Sequence, residues 1–505
     1  MDRRDFLAGL SALAVASGTA GSRTAGAQTA GAAARTMVAS PEAMQRLSAR
    51  LMRLEEDGLD PRWYGLNPGN QEDPAAITRA TAGALADIVQ GRVASLPGRV
   101  DLRRDPNPAT LNLWVQRIAE AAEPAEVIDL ASNATPDMAL LKPALAAART
   151  RASGSWPGFP VGGRTLEPGA FDENRVAALR ARLVLTDPIL AANPGTGGSY
   201  DERLQAAVRR FQTAVGTEPD ARIGTATQQA LNRSPMATVN QLRVAIDMRR
   251  AQPALSSERR VDVNIPDYRL RMMEDGRTVI EMAVVVGRPS RATPMITTRL
   301  TSVQFNPSWG VPQRNAREDL LPRLRRDPTA LQQRGFRIFG RVDGQVVEID
   351  PTTVDWRAIN PDRFPYVIRQ DAGDANALGR IKFNMPNNDD IYMHDTPDRH
   401  YFRRADRAQS SGCIRLERPM DFLMVMLDGT PGWDRERVDR VLATRNTQTV
   451  PLRRQPPVRL FYSTVTVEGS ELRVRQDIYG LDEAYARAME ARNRPQGIPM
   501  AAAQG

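Results

Sequence analysis

The chain is poor in the residues from which covalent bracing and metal sites are built. Among 505 residues there is one cysteine, Cys413, and there are two histidines, His394 and His400. A single cysteine excludes an intrachain disulfide. Two histidines six residues apart and one thiol are too few ligands for a zinc-type centre, so neither a metal nor a cofactor is expected. Lysine is nearly absent: Lys142 and Lys382 are the only two, and almost all positive charge is arginine. Aromatic residues make up 5% of the chain. The arginines are scattered and form no basic tract with interleaved aromatic rings, which argues against nucleic acid as a partner. No apolar run reaches the roughly 20 residues of a membrane span.

What is present points to an exported, multidomain protein. Apolar residues make up 41% of the sequence, enough for globular cores. The length is too great for one core. Net charge is +9, which suits an anionic polymer as partner. Arg3-Arg4 precede Phe6-Leu7 and an apolar run through Val15, and Ala25-Gly26-Ala27 offer a cleavage site before Gln28. The pattern predicts an export signal over 1–27 of twin-arginine type. Asp2 stands where Ser or Thr is usual, which keeps the general secretory route open. No cysteine lies near the cleavage site, so a lipoprotein is not expected.

The chemistry is concentrated between Ile391 and Pro419, which holds both histidines and the cysteine. A thiol and an imidazole together make a cysteine nucleophile: the imidazole takes the proton and the sulfur attacks a carbonyl. Gly412 allows a tight turn before Cys413, and Arg415 favours the thiolate. Tyr392 sits two residues before His394, so on a strand the two side chains share a face.

These residues carry a family resemblance. Tyr392-Met393-His394-Asp395-Thr396-Pro397, then Ser410-Ser411-Gly412-Cys413-Ile414-Arg415-Leu416, resemble the active-site signature of the L,D-transpeptidases, the YkuD catalytic domain. The nineteen-residue step from His394 to Cys413 is similar to that of the long, multidomain Gram-negative branch. Ser411 stands where short members carry a second histidine, so no role for that imidazole carries over. Gly58–Tyr64 and Asn306–Pro312 are similar to other segments of the same branch. The pattern of Leu204 to Gln212, Ile223-Gly224 and Ala230–Asn232 resembles a peptidoglycan-binding module, although Asp220-Ala221 replaces the usual Asp-Gly.

The fold expected from pattern and resemblance is multidomain α+β. A flexible lead-in over 28–36 precedes a helical scaffold over 37–165, with helices at 41–54, 74–90, 111–122 and 138–152. A three-helix peptidoglycan-binding-like module over 170–234 and a linking helix within 236–256 follow. A β-rich, sandwich-like catalytic domain is expected over 258–481, with a capping insert at about 313–374, then a C-terminal helix and tail over 482–505.

The resemblance implies a cysteine acyltransferase of the periplasm. Cys413 is the expected nucleophile and His394 the base. Asp395 is the candidate orienting group, by its carboxylate or its carbonyl. The backbone N–H groups of Gly412 and Cys413 are candidate oxyanion donors. Tyr392, Arg415, Ser410, Ser411 and Asn387 are candidate substrate contacts, and for Arg415 the alternative is an internal salt bridge to Glu417 or Asp395. His400 is expected to cap or pack. The implied reaction joins peptidoglycan stem peptides, a tetrapeptide donor losing its terminal D-Ala to form a 3→3 cross-link, with carbapenems as expected inhibitors. Water as acceptor would make an L,D-carboxypeptidase, and a protein amine would give protein attachment to the wall. The contrasting possibility is an idle wall-binding scaffold.

Overall fold

The computed structural model describes residues 39–93, 96, 108–251 and 259–491. The expected signal and lead-in, 1–36, lie outside them. Two compact units emerge: one takes residues up to Val215, Pro219–Leu255 and Thr464 onward, the other Gly216–Glu218 and Ser256–Ser463.

The first unit is mostly helical. The helix Pro41–Leu51 starts at Ser40, whose hydroxyl accepts from the Ala43 N–H, and it buries Met44, Leu47 and Leu51 on one stripe. Leu54, expected at its end, is instead in a 3₁₀ turn, Leu54–Asp57, stopped by Gly58 at φ 75°. Helices Pro74–Gln90, Pro108–Glu120 and Met138–Ala152 follow the expected pattern. A further helix, Pro124–Ser132, was not foreseen, being only nine residues long. Asp57 is fully buried among Arg50, Lys142 and Arg250. Burial opposes its ionisation, but the Arg250, Arg50 and Lys142 charges bring its pKa down to about 2.

Within this unit the peptidoglycan-binding-like module buries Val176, Leu179, Leu183, Leu204, Ala207 and Val208 around Tyr200. Gln212 is buried; its amide donates to Asp220 Oδ1 and the Arg222 carbonyl oxygen and accepts from Ala221 N–H. Ala221, standing where the resemblance leads one to expect glycine, is held at φ 63°.

The end of the chain belongs here too. The hairpin Val465–Glu468 and Glu471–Val474 packs its apolar side chains against Met138, Leu141, Leu242 and Ala245. The helix Leu481–Ala491 places Tyr485, Ala486 and Met489 in the core formed with Leu47, Leu51 and Ile77. The compact unit that holds the sheet ends at Ser463, whereas the sequence reading carries the catalytic domain to 481. The two strands of this hairpin pair with each other and with no strand of the larger sheets.

The second unit is built on one continuous eleven-stranded sheet. Its strands are β1 (Arg260–Asn264), β2 (Arg269–Glu274), β3 (Arg277–Gly287), β4 (Ile296–Arg299), β5 (Ser302–Phe305) and, beyond the insert, β10 (Ile381–Asn384), β11 (Met393–His394), β12 (Ala408–Ser410), β13 (Ile414–Leu416), β14 (Gln448–Pro451) and β15 (Pro457–Phe461). The eleven-residue β3 joins the two halves: its start pairs with β2, and Val284–Gly287 pair with strands of the cysteine region. The insert forms a separate four-stranded sheet of β6 (Trp309–Gly310), β7 (Phe336–Val342), β8 (Gln345–Glu348) and β9 (Val367–Gln370), in the order β6-β9-β7-β8. It has its own core of Leu320, Leu321, Leu324, Phe336, Trp356 and Phe364. The β7–β8 turn uses Asp343 and Gly344 at positive φ, a type I′ hairpin signature. The helix Pro419–Leu427 follows the cysteine segment and buries Phe422, Leu423, Met426 and Leu427.

Candidate active site

Three short strands carry the site: β10 (Ile381–Asn384), β11 (Met393–His394) and β13 (Ile414–Leu416). In their ladders Lys382 is directly opposite His394, and His394 is beside Arg415. Directly paired residues share a sheet face. Phe383, Met393 and Ile414 alternate to the other face and are buried in the core. By the same period Tyr392 stands with His394, and Cys413 with Arg415. The Ile414 N–H donates to the Tyr392 carbonyl at 3.0 Å, drawing the cysteine turn against the histidine strand. Cys413, His394, Tyr392, Arg415 and Lys382 thus meet on one face.

The imidazole is fixed by backbone. His394 is 4% exposed, and its Nδ1 lies 2.5 Å from the Asp395 carbonyl oxygen. Burial first, then the Arg415 charge, pushes its pKa down to about 3, with the Asp395 carbonyl acting the other way. His394 is therefore a neutral imidazole in the resting site. The Asp395 carboxylate points elsewhere: it accepts the Arg380 N–H at 3.0 Å and faces Arg399 at 3.6 Å. Of the two ways Asp395 was expected to orient the ring, the geometry offers its carbonyl. Gly379, at φ 63°, makes room for that carboxylate, because a Cβ there would fall on the Asp395 side chain.

The thiol is half-buried and donates toward the Asp390 carbonyl oxygen, 3.8 Å away. Asp390 holds the left-handed conformation at φ 54°. Burial raises the Cys413 pKa, while the Tyr392 backbone N–H and hydroxyl and the Lys382 and Arg415 charges act against it. Tyr392 is itself pushed up, by burial and by the neighbouring thiol. The Tyr392 and His394 ring centroids are 5.6 Å apart.

The turn before the nucleophile is braced from several sides. Gly412 has φ 123°, which suits glycine alone. Its N–H donates to Ser410 Oγ at 3.1 Å, so it is not the free oxyanion donor expected. The Cys413 N–H makes no hydrogen bond among the described residues and stays available for that role. Ser410 is buried, and its hydroxyl donates to the Cys413 carbonyl at 2.7 Å, which braces the turn. Thr293 Oγ1 donates to the Gly412 carbonyl at 2.7 Å, and the Arg288 N–H to the Ser410 carbonyl at 3.0 Å. Ser411 Oγ accepts from Arg291 at 2.9 Å, and the same buried guanidinium holds Asp319, Glu318 and Asn315 of the insert.

Two more expected substrate contacts are already engaged. Both ends of the Asn387 amide are spent on its own loop, on Met385, Asp389 and Ile391. Arg415 pairs with Asp398 at 3.3 Å, an internal partner other than the Glu417 or Asp395 considered from sequence. His400 is exposed and packs on Tyr401. Sequence reasoning missed Lys382 and Trp309 as site residues. Lys382 Nζ sits 4.2 Å from the Tyr392 ring centroid, and the Trp309 indole adjoins the Tyr392 hydroxyl. The near absence of lysine elsewhere was the signal that could have drawn attention to Lys382. Among the described residues no cluster of His, Cys, Asp and Glu is arranged to hold a metal.

A cysteine thiol and a neutral, oriented imidazole on a braced turn are the parts from which a cysteine nucleophile is built. The comparisons with known proteins give the domains. Residues 258–433 match the L,D-transpeptidase catalytic domain of YkuD type, and residues 172–231 match the "Putative peptidoglycan binding domain". Residues 258–433 therefore carry an L,D-transpeptidase catalytic domain, beside a peptidoglycan-binding domain over 172–231. It is 42% identical over 220 residues to a "Putative L,D-transpeptidase" of Haemophilus influenzae, a match spanning 44% of either protein. Among solved structures it overlaps an L,D-transpeptidase of Xylanimonas cellulosilytica (15% identity, 60% of this chain and 100% of that one, TM-score 0.19). It also overlaps one of Stackebrandtia nassauensis (12% identity, 61% and 97%, TM-score 0.18).

Proposed function

We propose that this enzyme forms 3→3 cross-links in peptidoglycan through a cysteinyl thioester. The observation that carries the reading is one sheet face holding Cys413 and His394, the imidazole neutral and oriented by the Asp395 carbonyl. Because the thiol is raised and the imidazole lowered, the resting pair is neutral, and proton transfer accompanies attack. Sulfur bonds to the carbonyl carbon of the third residue of a donor tetrapeptide as the thiol proton moves to His394. The C–N bond to terminal D-Ala then breaks, and His394 returns the proton to the leaving amine. The developing oxyanion meets the free Cys413 N–H. An amine of a second stem peptide attacks the thioester, loses its proton to His394 and regenerates the thiol. Two acyl transfers thus replace one direct exchange.

The peptidoglycan-binding-like module would bring the enzyme to the wall, and the Arg3-Arg4 signal to the periplasm. Purified enzyme incubated with tetrapeptide muropeptides should yield 3→3 dimers and free D-Ala by mass analysis. Cys413→Ala should yield neither, and a carbapenem should add its mass to the parent enzyme and not to this variant. D-Ala release without dimers would make water the acceptor; release retained by Cys413→Ala would overturn the proposal.

A further inference from the structure

The neutral resting pair leaves open what balances the negative charge as sulfur ionises. His394 becomes cationic only by accepting that same proton, in a buried site that disfavours the cation. A second basic group stands on the same face. Lys382 faces His394 across the β10–β11 ladder, and its ammonium lies over the Tyr392 ring, 4.2 Å from the centroid. That placement is a cation–π contact, which holds a flexible side chain in one position. The hydroxyl of the same ring adjoins the sulfur.

We propose that Lys382 is the electrostatic partner of the nucleophile, a positioning residue whose ammonium, seated on Tyr392, stabilises the Cys413 thiolate. The proposal rests on Cys413 being the nucleophile but not on the identity of the acceptor. The other groups around the sulfur do not serve as well. Arg415 is paired with Asp398 at 3.3 Å, which spends part of its charge. Asp390 offers its carbonyl to the thiol, and its charge acts on Lys382. Tyr392 donates without carrying a charge. Burial lowers the Lys382 pKa, and the Cys413 and Asp390 charges raise it, so the three groups are electrically linked.

The test is the pH profile of Cys413 alkylation by iodoacetamide, a neutral reagent, on the full chain. The chain has no other thiol, so the mass shift reports this sulfur alone. Lys382→Met should move the midpoint up by about one pH unit and slow alkylation at pH 7 about tenfold, the effect of removing one nearby charge. Lys382→Arg should restore most of the rate. Coincident profiles for Lys382→Met and the parent, with equal melting temperatures, would overturn the proposal. So would a Lys382→Arg variant as slow as Lys382→Met, since shape would then matter and charge would not. A third overturning result is a raised KM for the stem peptide with an unchanged alkylation profile, which would place Lys382 on the substrate. A shifted profile without any 3→3 dimers would sustain this inference while ending the cross-linking proposal.

Discussion

Acid should loosen the catalytic sheet well before its carboxylates titrate, because of His394. In the unfolded chain a histidine takes up its proton near pH 6.5. In the folded sheet His394 is almost wholly buried, and its pKa is down at about 3. The folded pKa is depressed, so the stabilisation is complete above pH 6.5 and is lost as pH falls toward 3. Between pH 7 and pH 5 the unfolded state gains about three-quarters of a proton at this position and the folded state almost none. The difference amounts to about 2 kcal/mol, set by the unfolded value because pH 5 lies far above the folded one. Unfolded carboxylates take up protons chiefly below pH 5, so this window isolates histidine. The chain contains only one other, His400, which is exposed, and His400→Asn removes it from consideration. Hydrogen exchange of the β10 and β11 amides in sub-denaturing urea, corrected for intrinsic rates, reads the local free energy at both pH values. The parent and His400→Asn should each lose about 2 kcal/mol, and His394→Gln should lose little. An unchanged slope in His394→Gln would refute the assignment of a buried neutral imidazole.

Other variants test the geometry. Asp395→Asn should leave D-Ala release within about tenfold of the parent, since the carbonyl orients the ring; a loss near ten-thousandfold would show the carboxylate to be the orienter, as in serine triads. Gly379→Ala should lower the melting temperature and slow turnover together, because the left-handed backbone and the Asp395 side chain leave no room for a methyl group. A calorimetric scan with an initial-rate assay checks both.

Much of the site was legible from one segment. Cys413, His394 and Tyr392 fall within 22 consecutive residues, and the period of two put Tyr392 and His394 on one face before any strand was seen. Helices with long apolar stripes and clear starts, such as Pro74–Gln90, were also plain. What could not be read was pairing across distance. Lys382 reaches the site through strand register, which the sequence does not display. Arg415 and Ser410 are polar residues beside a nucleophile, and only their distances show that Asp398 and the turn itself engage them. The hairpin Val465–Val474 alternates like a sheet strand pair, yet its partner is a helical core.

That last placement bears on synthesis. The helical unit needs Tyr485, Ala486 and Met489 to fill the space beside Leu47 and Ile77, and these emerge from the ribosome only after the entire catalytic sheet. Its amino-terminal helices must therefore wait, with an apolar groove open, while some two hundred residues of another unit are made and folded. A polypeptide that stops short of Leu481 would carry every residue of the thiol site and still lack the piece that completes its scaffold.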